Sequence, residues 1–224
     1  MPQVNLNMER VVPAPSLTEM ALSSIKEAIL SRKLEPERMY TEAVLTNELG
    51  ISRTPVREAL IHLASQGLIM YFPRKGFQVK SLTEKDVENL FELRVALELS
   101  VIRHITSRLT DRCLAEIERI WDQYSQSIQQ GEPVMSIRAN RVLHTGLANL
   151  TDNDYLIKAL DQISDLTDLA GVRSLEFDSR AFEAVGEHER IFHELKQKSP
   201  DGALQKMEDH IRTTEKRVLA RTRN

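Results

Sequence analysis

Apolar residues recur every three to four positions along most of this 224-residue chain, and that spacing limits the folds open to it. Residues three or four apart share one face of an α-helix, so the pattern predicts amphipathic helices that pack by their apolar faces. Only 8 Gly, 8 Pro and 5% aromatic residues accompany it, which disfavours β-rich architectures with many turns. The sequence therefore predicts a mainly α protein.

The first 80 residues predict a winged helix-turn-helix. Residues 1–15 lack periodicity and are interpreted as a flexible N-terminal arm, and Ser16 with Glu19 forms a capping box that opens the first helix. The predicted elements after the arm are helices at about 17–33, 41–49 and 52–66 and strands at 69–72 and 77–80. Three helices followed by a hairpin are typical of a winged DNA-binding domain, which we assign to residues 16–80.

From residue 81 onward the sequence has no strand signal. Thr83 with Asp86 forms a second capping box, which opens a long amphipathic helix. Five further helices are predicted at about 111–130, 134–149, 154–172, 181–198 and 200–221. Six helices joined by short turns predict an all-α bundle over residues 81–224.

Charge differs between the two predicted parts. Residues 52–80 hold five Lys or Arg and a single Glu, whereas residues 81–224 hold 20 Lys or Arg against 25 Asp or Glu. A basic segment on an acidic body indicates a polyanionic partner for the N-terminal part alone.

The basic residues of the third helix and the hairpin tip are the candidates for DNA contact. Side chains in the first turns of a recognition helix reach base edges in the major groove, where arginine can donate two hydrogen bonds to guanine. A threonine there can reach a phosphate or a thymine methyl group, and basic residues at the tip can reach phosphate or the minor groove. The predicted DNA contacts are Arg53, Thr54, Arg57, Arg74, Lys75 and Gly76, the last because glycine permits a tight turn. The alternative is a set of solvated charges on an exposed helix.

The segment from Glu42 to Leu60, which contains SRTPVREAL, resembles the signature of GntR-family bacterial transcriptional regulators. Further along, the run Glu92-Leu93-Arg94 followed by Leu97-Glu98 resembles the start of the FCD effector domain of the FadR branch. Six predicted bundle helices resemble the VanR-like subset of that branch. The resemblance implies a homodimeric repressor of a palindromic operator, with a small-molecule ligand that changes its affinity for DNA. One position departs from the family, because residue 43 is often basic there and is Ala43 here.

Four residues on three predicted helices are candidates for a divalent metal site. Asn140 and His144 are four positions apart and share one helix face, while His188 and His210 lie on two later helices. Three imidazoles and one oxygen ligand can form a metal site inside a bundle, although isolated histidines are more often surface or core residues. The FCD resemblance implies an aspartate and three histidines at these positions. Asn140 replaces that carboxylate with an amide, so we expect weaker binding of the ion.

Zinc is the first candidate for an imidazole-rich site, and nickel, manganese and iron also fit. A metal with open positions would anchor a carboxylate, so the sequence predicts a small organic acid as effector. Arg94, on the first bundle helix, is the predicted effector contact as a countercharge. A buried salt bridge from Arg94 to Glu98 is an equally good interpretation.

Two other functions remain open on the sequence alone. A helical bundle with three histidines could be a metalloenzyme, and a winged helix could bind another protein; we expect neither, and no enzymatic activity. The apolar run from Leu68 to Phe72 is far too short to span a membrane, and residues 1–10 carry no secretory signal. Cys113 is the single cysteine and has no internal partner, so a reducing cytoplasm is expected.

Overall fold

Three helices and three short strands make up the N-terminal part of the molecule within the described residues. The computed structural model describes residues 14–128, 133–172 and 179–222, so most of the predicted arm at 1–15 lies outside it. The N-terminal elements are α1 (Leu17–Leu30), β1 (Met39–Tyr40), α2 (Glu42–Leu49), α3 (Arg53–Ser65), β2 (Ile69–Phe72) and β3 (Gly76–Val79).

Local signals set the bounds of α1 and α2. The capping box predicted at Ser16 and Glu19 opens α1, as the Ser16 hydroxyl accepts from the Glu19 amide and the Glu19 carboxylate accepts from the Ser16 amide. α1 ends at Leu30 rather than near Lys33, because Arg32 takes a left-handed conformation with φ 57°. α2 ends at Gly50, which is left-handed with φ 64°.

The sheet contains one strand that the sequence did not predict. β3 pairs antiparallel with β2 to form the predicted hairpin, and on its other edge it pairs with β1, so the strand order is β1-β3-β2. β1 has only two residues, Met39 paired with Gln78 and Tyr40 with Phe77, which is too short for an alternating pattern to reveal. It ties the loop before α2 to the wing.

Six helices form the C-terminal part that the structure describes. They are α4 (Glu84–Ser107), α5 (Asp111–Ile128), α6 (Pro133–Asn149), α7 (Asp154–Val172), α8 (Ser179–Lys196) and α9 (Pro200–Thr222). The capping box predicted at Thr83 and Asp86 opens α4. Residues 129–130, predicted to end the second of these helices, lie outside the described residues.

Helix α4 is the central helix of this bundle, since it packs against α6, α7 and α9. Its buried face is mostly apolar, with Val87, Phe91, Val101 and Ile102 almost fully excluded from solvent. Burial of such side chains supplies the main favourable free energy of folding. The fold is therefore mainly α, a winged helix-turn-helix followed by a helical bundle, as the sequence predicts.

The two parts also meet away from the chain connection at 80–83. Helix α1 packs against α7, and a continuous set of buried apolar side chains runs from Ile25 and Ile29 into the bundle. Among the described helices, none combines the length and the apolar character that crossing a membrane requires.

Candidate functional site

Helix α3 presents its basic residues to solvent because its apolar residues pack into the core on the opposite face. Val56, Ala59, Leu60 and Leu63 are completely buried, and they leave the opposite face of the helix outward. Arg53, Thr54 and Arg57 all lie exposed on that outer face. Ser52 occupies the N-cap position in an extended conformation, so α3 begins directly at Arg53.

The hairpin tip brings two further cations to the same side. Arg74 and Lys75 are exposed in the turn between β2 and β3, and Arg74 is left-handed with φ 65°. Gly76 follows with φ 129°, and a Cβ there would lie only 2.0 Å from the carbonyl oxygen of Tyr40. Only glycine allows β1 to approach the β2–β3 hairpin so closely, and this approach fixes the position of the turn that carries Arg74 and Lys75.

A cleft of about 370 Å³ lies between α3 and the hairpin. Five of the six predicted DNA contacts line it, and Thr54, although exposed, does not. Its lining is Thr41, Glu42, Ala43, Arg53, Arg57, Tyr71, Pro73, Arg74, Lys75 and Gly76. Four exposed cations around one concave surface concentrate positive potential there, which attracts a polyanion.

Two cleft residues were missed by the sequence analysis, Glu42 at the start of α2 and Tyr71 on β2. The Tyr71 hydroxyl donates a hydrogen bond to the Glu42 carboxylate. They are 29 positions apart in the chain, and they come together because α3 packs against both α2 and β2. Neither residue carries a local signal of this contact, since Glu42 lies before the basic segment at 52–80 and Tyr71 belongs to the predicted strand at 69–72.

The three predicted histidine ligands come together in the interior of the bundle. His144 of α6, His188 of α8 and His210 of α9 are 2%, 0% and 4% exposed, and one ring nitrogen from each lies within 4.8 Å of the other two. The Nε2 atoms of His144 and His188 are 3.4 Å apart. Imidazole nitrogens grouped in this way could hold a metal ion.

An oxygen atom lies close to the Nδ1 atom of each ring. Nδ1 of His188 is 2.9 Å from the Tyr124 hydroxyl, and Nδ1 of His210 is 2.8 Å from the Glu187 carboxylate. Nδ1 of His144 lies 2.7 Å from the Glu98 carboxylate, although not aligned as a hydrogen bond. With Nδ1 engaged, Nε2 is the nitrogen left for a ligand, and Nε2 of His210 has no hydrogen-bond partner.

Burial sets the protonation of these rings. It lowers the pKa of His210 to about 4, against the opposing effect of Glu187, and it lowers the pKa of His188 well below the usual value. Burial alone would raise the pKa of Glu98, but His144 and Arg94 outweigh it and lower that pKa to about 2. At neutral pH the cluster thus offers neutral His188 and His210 rings beside an ionised carboxylate.

Two further predicted residues remain, Arg94 as an effector contact and Asn140 as a metal ligand. Arg94 Nε is 3.4 Å from Glu98 Oε1, with both side chains buried, so the salt bridge considered as one interpretation is formed. Asn140 is half-buried on α6, one helical turn before His144. Their roles toward an effector and a metal stay predictions.

The residues that orient the rings were not predicted. Tyr124 and Glu187 were not among the predicted site residues. Glu98 was named in the FCD resemblance and as a salt-bridge partner of Arg94, but not as a neighbour of His144. Each contacts its histidine across more than 20 residues of sequence, so no local signal could have found the pairing.

An ion-pair network connects the bundle to α1. Arg141 of α6 contacts Asp165 at 2.5 Å and Asp168 at 3.1 Å, both on α7. Lys26 of α1 contacts the same Asp165 at 2.5 Å. Side-chain contacts therefore run from α6, the helix that carries His144, to the first helix of the winged part.

Comparison with known proteins gives two family matches that together span most of the chain. Residues 17–79 match the family described as bacterial regulatory proteins, gntR family, and residues 89–213 match the FCD domain. The HTH-type transcriptional regulator YdhC of Bacillus subtilis is 30% identical over 84% of this chain and 85% of its own. The Nta operon transcriptional regulator of Aminobacter aminovorans is 30% identical over 73% of this chain and 75% of its own.

One solved structure shares the whole architecture. The structure of Escherichia coli McbR/YncC superposes with a TM-score of 0.80, covering 94% of this chain and all of its own, at 21% sequence identity. At that level of identity the likeness supports the fold.

Proposed function

The chain belongs to the GntR family of bacterial regulatory proteins and carries an FCD domain, and from that premise we propose that this transcriptional regulator is a repressor whose operator affinity is set by a small carboxylate ligand. The carrying observation is the cleft between α3 and the hairpin, lined by Arg53, Arg57, Arg74 and Lys75. We assign DNA binding to residues 16–80 and effector binding and dimerisation to residues 81–224. A family of regulators leaves no support for the metalloenzyme alternative.

In the proposed complex, α3 enters the major groove with its N-terminal end foremost. Arg53 and Arg57 are one turn apart on one exposed face, so both reach neighbouring base edges, and each bidentate contact to guanine contributes about 1–3 kcal/mol of discrimination. Arg74 and Lys75 contact the backbone or the minor groove beside it. Ala43 lines the same cleft without a polar side chain, which removes one potential contact from α2. A homodimer would place two such faces about one DNA turn apart.

Binding to a duplex selected from a random-sequence pool tests this assignment. We expect Arg53→Ala and Arg57→Ala each to weaken specific binding by about 10-fold or more, since each removes a base contact. Size-exclusion chromatography should show an unchanged assembly, and Arg119→Ala, which removes an exposed arginine of α5, should bind normally. Unchanged affinity in both cleft variants would refute the proposed DNA contacts.

The three histidines fit a divalent metal ion, because each ring has its Nδ1 beside an oxygen atom and Nε2 of His210 is buried without a partner. His144, His188 and His210 would hold the ion, with Asn140 as an added oxygen ligand. Zinc suits this donor set first, with nickel, manganese or iron as alternatives. When bound, the ion supplies a Lewis-acidic anchor for a carboxylate.

Arg94 is the proposed contact for the carboxylate of the effector. Its guanidinium is buried beside Glu98, and the Glu98 carboxylate lies against His144. An anionic ligand that bonds to Arg94 would compete with Glu98, so binding rearranges the contacts of α4. The ligand changes DNA affinity only as far as it favours one arrangement of the two winged parts over the other.

Two connections could carry that change to the winged part. One is the segment at 78–86 that leads from β3 into α4. The other is the network in which Lys26 of α1 contacts Asp165, which Arg141 of α6 also contacts. Because α4 and α6 both contribute to the histidine cluster, ligand binding there acts on both connections.

A further inference from the structure

Two ion pairs join the winged part to the bundle, in addition to the chain connection at 80–83. Nζ of Lys26, on α1, lies 2.5 Å from Oδ2 of Asp165 on α7. The next residue of α1, Glu27, pairs with Arg138 on α6. Neighbouring residues of a helix point about 100° apart around its axis, so these two contacts, here called the α1 ion pairs, hold α1 against two different helices.

The order of the charges favours one docking orientation. α1 presents a cation and then an anion, and the bundle presents the matching anion and cation. A rotation or shift of α1 that brought Glu27 toward Asp165 would place two carboxylates together, which repel strongly because Asp165 is buried. Complementary charges of this kind fix the register of an interface more than they add to its affinity.

The bundle holds one of the four charged groups in place independently of α1. The Asp165 side chain is only 3% exposed, and its Oδ1 contacts Arg141 of α6 while its Oδ2 contacts Lys26. Arg141 therefore keeps this carboxylate oriented whether or not α1 is docked. The pair between Glu27 and Arg138 is exposed, so it is weaker and more easily screened by salt.

Apolar packing between the two parts leaves room for movement. A cavity of about 20 Å³, enough for about one water molecule, lies at their junction and is lined by Ile29 of α1, Val79 of β3 and Leu169 of α7, among others. Apolar contact is favourable in many directions and does not by itself fix an orientation. The α1 ion pairs supply directional contacts that such packing does not.

We propose that Lys26 and Glu27 are specificity-determining residues, which fix the orientation of the winged part on the bundle and thereby the half-site spacing of the operator. The proposal rests on the proposed function, in which a homodimer joined through residues 81–224 presents two copies of α3 to DNA. Because α1 packs against α3, the docking of α1 sets where each α3 stands. One inserted base pair moves a half-site by about 3.4 Å and turns it by about 34°, so a rigid dimer tolerates it poorly.

Binding to duplexes of altered spacing tests the proposal on the full-length protein. The probes are the palindromic duplex that the wild type selects from a random pool, the same duplex with one base pair inserted or removed at its centre, and one half-site alone, all measured by fluorescence anisotropy. We expect the wild type to lose about 10-fold or more in affinity at each altered spacing. In Lys26→Met/Glu27→Gln this loss should shrink to less than about 3-fold, while the affinity for the single half-site stays unchanged.

This double variant leaves the charge and the folding of the bundle intact. It removes one cation and one anion, so the net charge is unchanged, and Asp165 keeps Arg141 as its partner. Lys33→Met/Glu35→Gln is the matched control, since it removes the same two charges from exposed positions after α1 and should keep the wild-type spacing preference. Equal spacing discrimination in the double variant and the wild type overturns the proposal, as does a wild type that accepts all three spacings equally.

A charge exchange separates ion pairing from general damage at the junction. Glu27→Arg and Arg138→Glu should each weaken spacing discrimination, because each places like charges together. The two combined should restore it to within about 2-fold of the wild type. If each single variant weakens discrimination and the combination does not restore it, ion pairing does not set the orientation and the proposal is wrong.

A measurement without DNA distinguishes failure of this proposal from failure of the proposed function. Spin labels at Glu48→Cys on α2 and Gln123→Cys on α5, in a Cys113→Ser background diluted with unlabelled chain, report the distance between the two parts by double electron–electron resonance. We expect a narrow distance distribution in the wild type and a broader one in Lys26→Met/Glu27→Gln. Identical distributions overturn the proposal even where DNA binding is confirmed. A wild type that selects no duplex refutes the proposed function and the spacing role with it, and the distances then decide the orientation alone.

Discussion

The cleft between α3 and the hairpin and the histidine cluster differ in how much of each site is ordered before its partner binds. In the cleft, the four cations of α3 and the hairpin tip are exposed, namely Arg53, Arg57, Arg74 and Lys75. In the cluster, three buried rings each have an oxygen atom at Nδ1, from Glu98, Tyr124 or Glu187. One site meets its ligand by electrostatic attraction and side-chain adjustment, and the other offers a geometry that already exists.

This difference matches the partners proposed for the two sites. DNA is large and highly charged, so attraction at a distance gathers it, and the final contacts form as side chains settle on base edges. A metal ion contacts only a few atoms, so its affinity depends on how accurately those atoms are held. We therefore expect cleft substitutions to change salt dependence, and cluster substitutions to change metal affinity.

The largest effect is expected at the centre of the cluster. His188→Ala removes a fully buried ring that both neighbouring histidines contact, so metal content should fall from about one ion per chain to a small fraction. Elemental mass spectrometry of protein purified without a metal-affinity tag measures this. His193→Ala, on the same helix but exposed, is the matched control and should retain its metal. Equal metal content in the two variants would contradict the site.

A smaller effect tests whether orientation of the rings matters. Glu187→Gln leaves all three rings in place but replaces the carboxylate that contacts Nδ1 of His210, so metal affinity should fall by about 10- to 100-fold. Competition against a chelator of known affinity measures the change. Glu189→Gln, an exposed neighbour, is the control. An affinity unchanged by Glu187→Gln would show that packing alone orients the ring.

The sequence predicts candidate contact residues better than it predicts the residues that support them. The residues proposed to contact a partner carry local signals: Arg53 and Arg57 lie in a distinctive motif, and His144, His188 and His210 stand on predicted helices. The residues that contact the histidines carry none, because Tyr124 meets His188, and Glu187 meets His210, only after distant segments pack. The candidate residues could thus be named from the sequence, whereas most of their supporting contacts could not. The Arg94–Glu98 salt bridge is the exception, because its two residues are only four positions apart on one helix.

The same division holds for the fold. Apolar spacing and capping boxes predicted the helices of both parts, and α4 begins after Thr83 as expected. β1 was missed because two residues carry no period, yet its approach to the wing is what requires glycine at 76. The end of α1 was placed too late since the left-handed turn at Arg32 has no strong residue signature.

A modest effect on DNA affinity is expected at the hairpin tip, and it tests whether attraction by charge governs binding in the cleft. Lys75→Ala removes an exposed cation that lines the cleft, so binding should weaken a few-fold for the selected and the scrambled duplex alike. The slope of log affinity against log salt should fall by about one, as one phosphate contact is lost. Lys196→Ala, on α8, removes an equal charge far along the chain and should change neither. A loss confined to the selected duplex would mean that Lys75 reads bases.

The smallest effect concerns the cost of burial in the bundle. Asp168 of α7 lies almost wholly buried, and burial raises its pKa to about 6. The negative charge of Asp165 on the same helix also raises this pKa, whereas Arg141 of α6 and Arg94 of α4 lower it. A raised pKa means that the folded chain holds this proton more tightly than the unfolded chain. Asp168 therefore destabilises the fold above pH 6, and this penalty is relieved as the pH falls through 6.

The buried histidines act in the opposite direction, so the wild-type protein alone cannot isolate Asp168. The pKa values of His188 and His210 are lowered on folding, and the stability they contribute above pH 6.5 is lost toward the folded pKa, about 4 for His210. Asp168→Asn leaves the contributions of His188 and His210 to stability unchanged and removes only the Asp168 carboxyl group. Between pH 7.5 and 5 the wild type should gain about 1 kcal/mol relative to the variant, roughly 2–4 °C in Tm. A Tm difference that stays constant with pH would mean that Asp168 remains ionised beside Arg141, and that burial shapes protonation in the cluster but not in the network beside it.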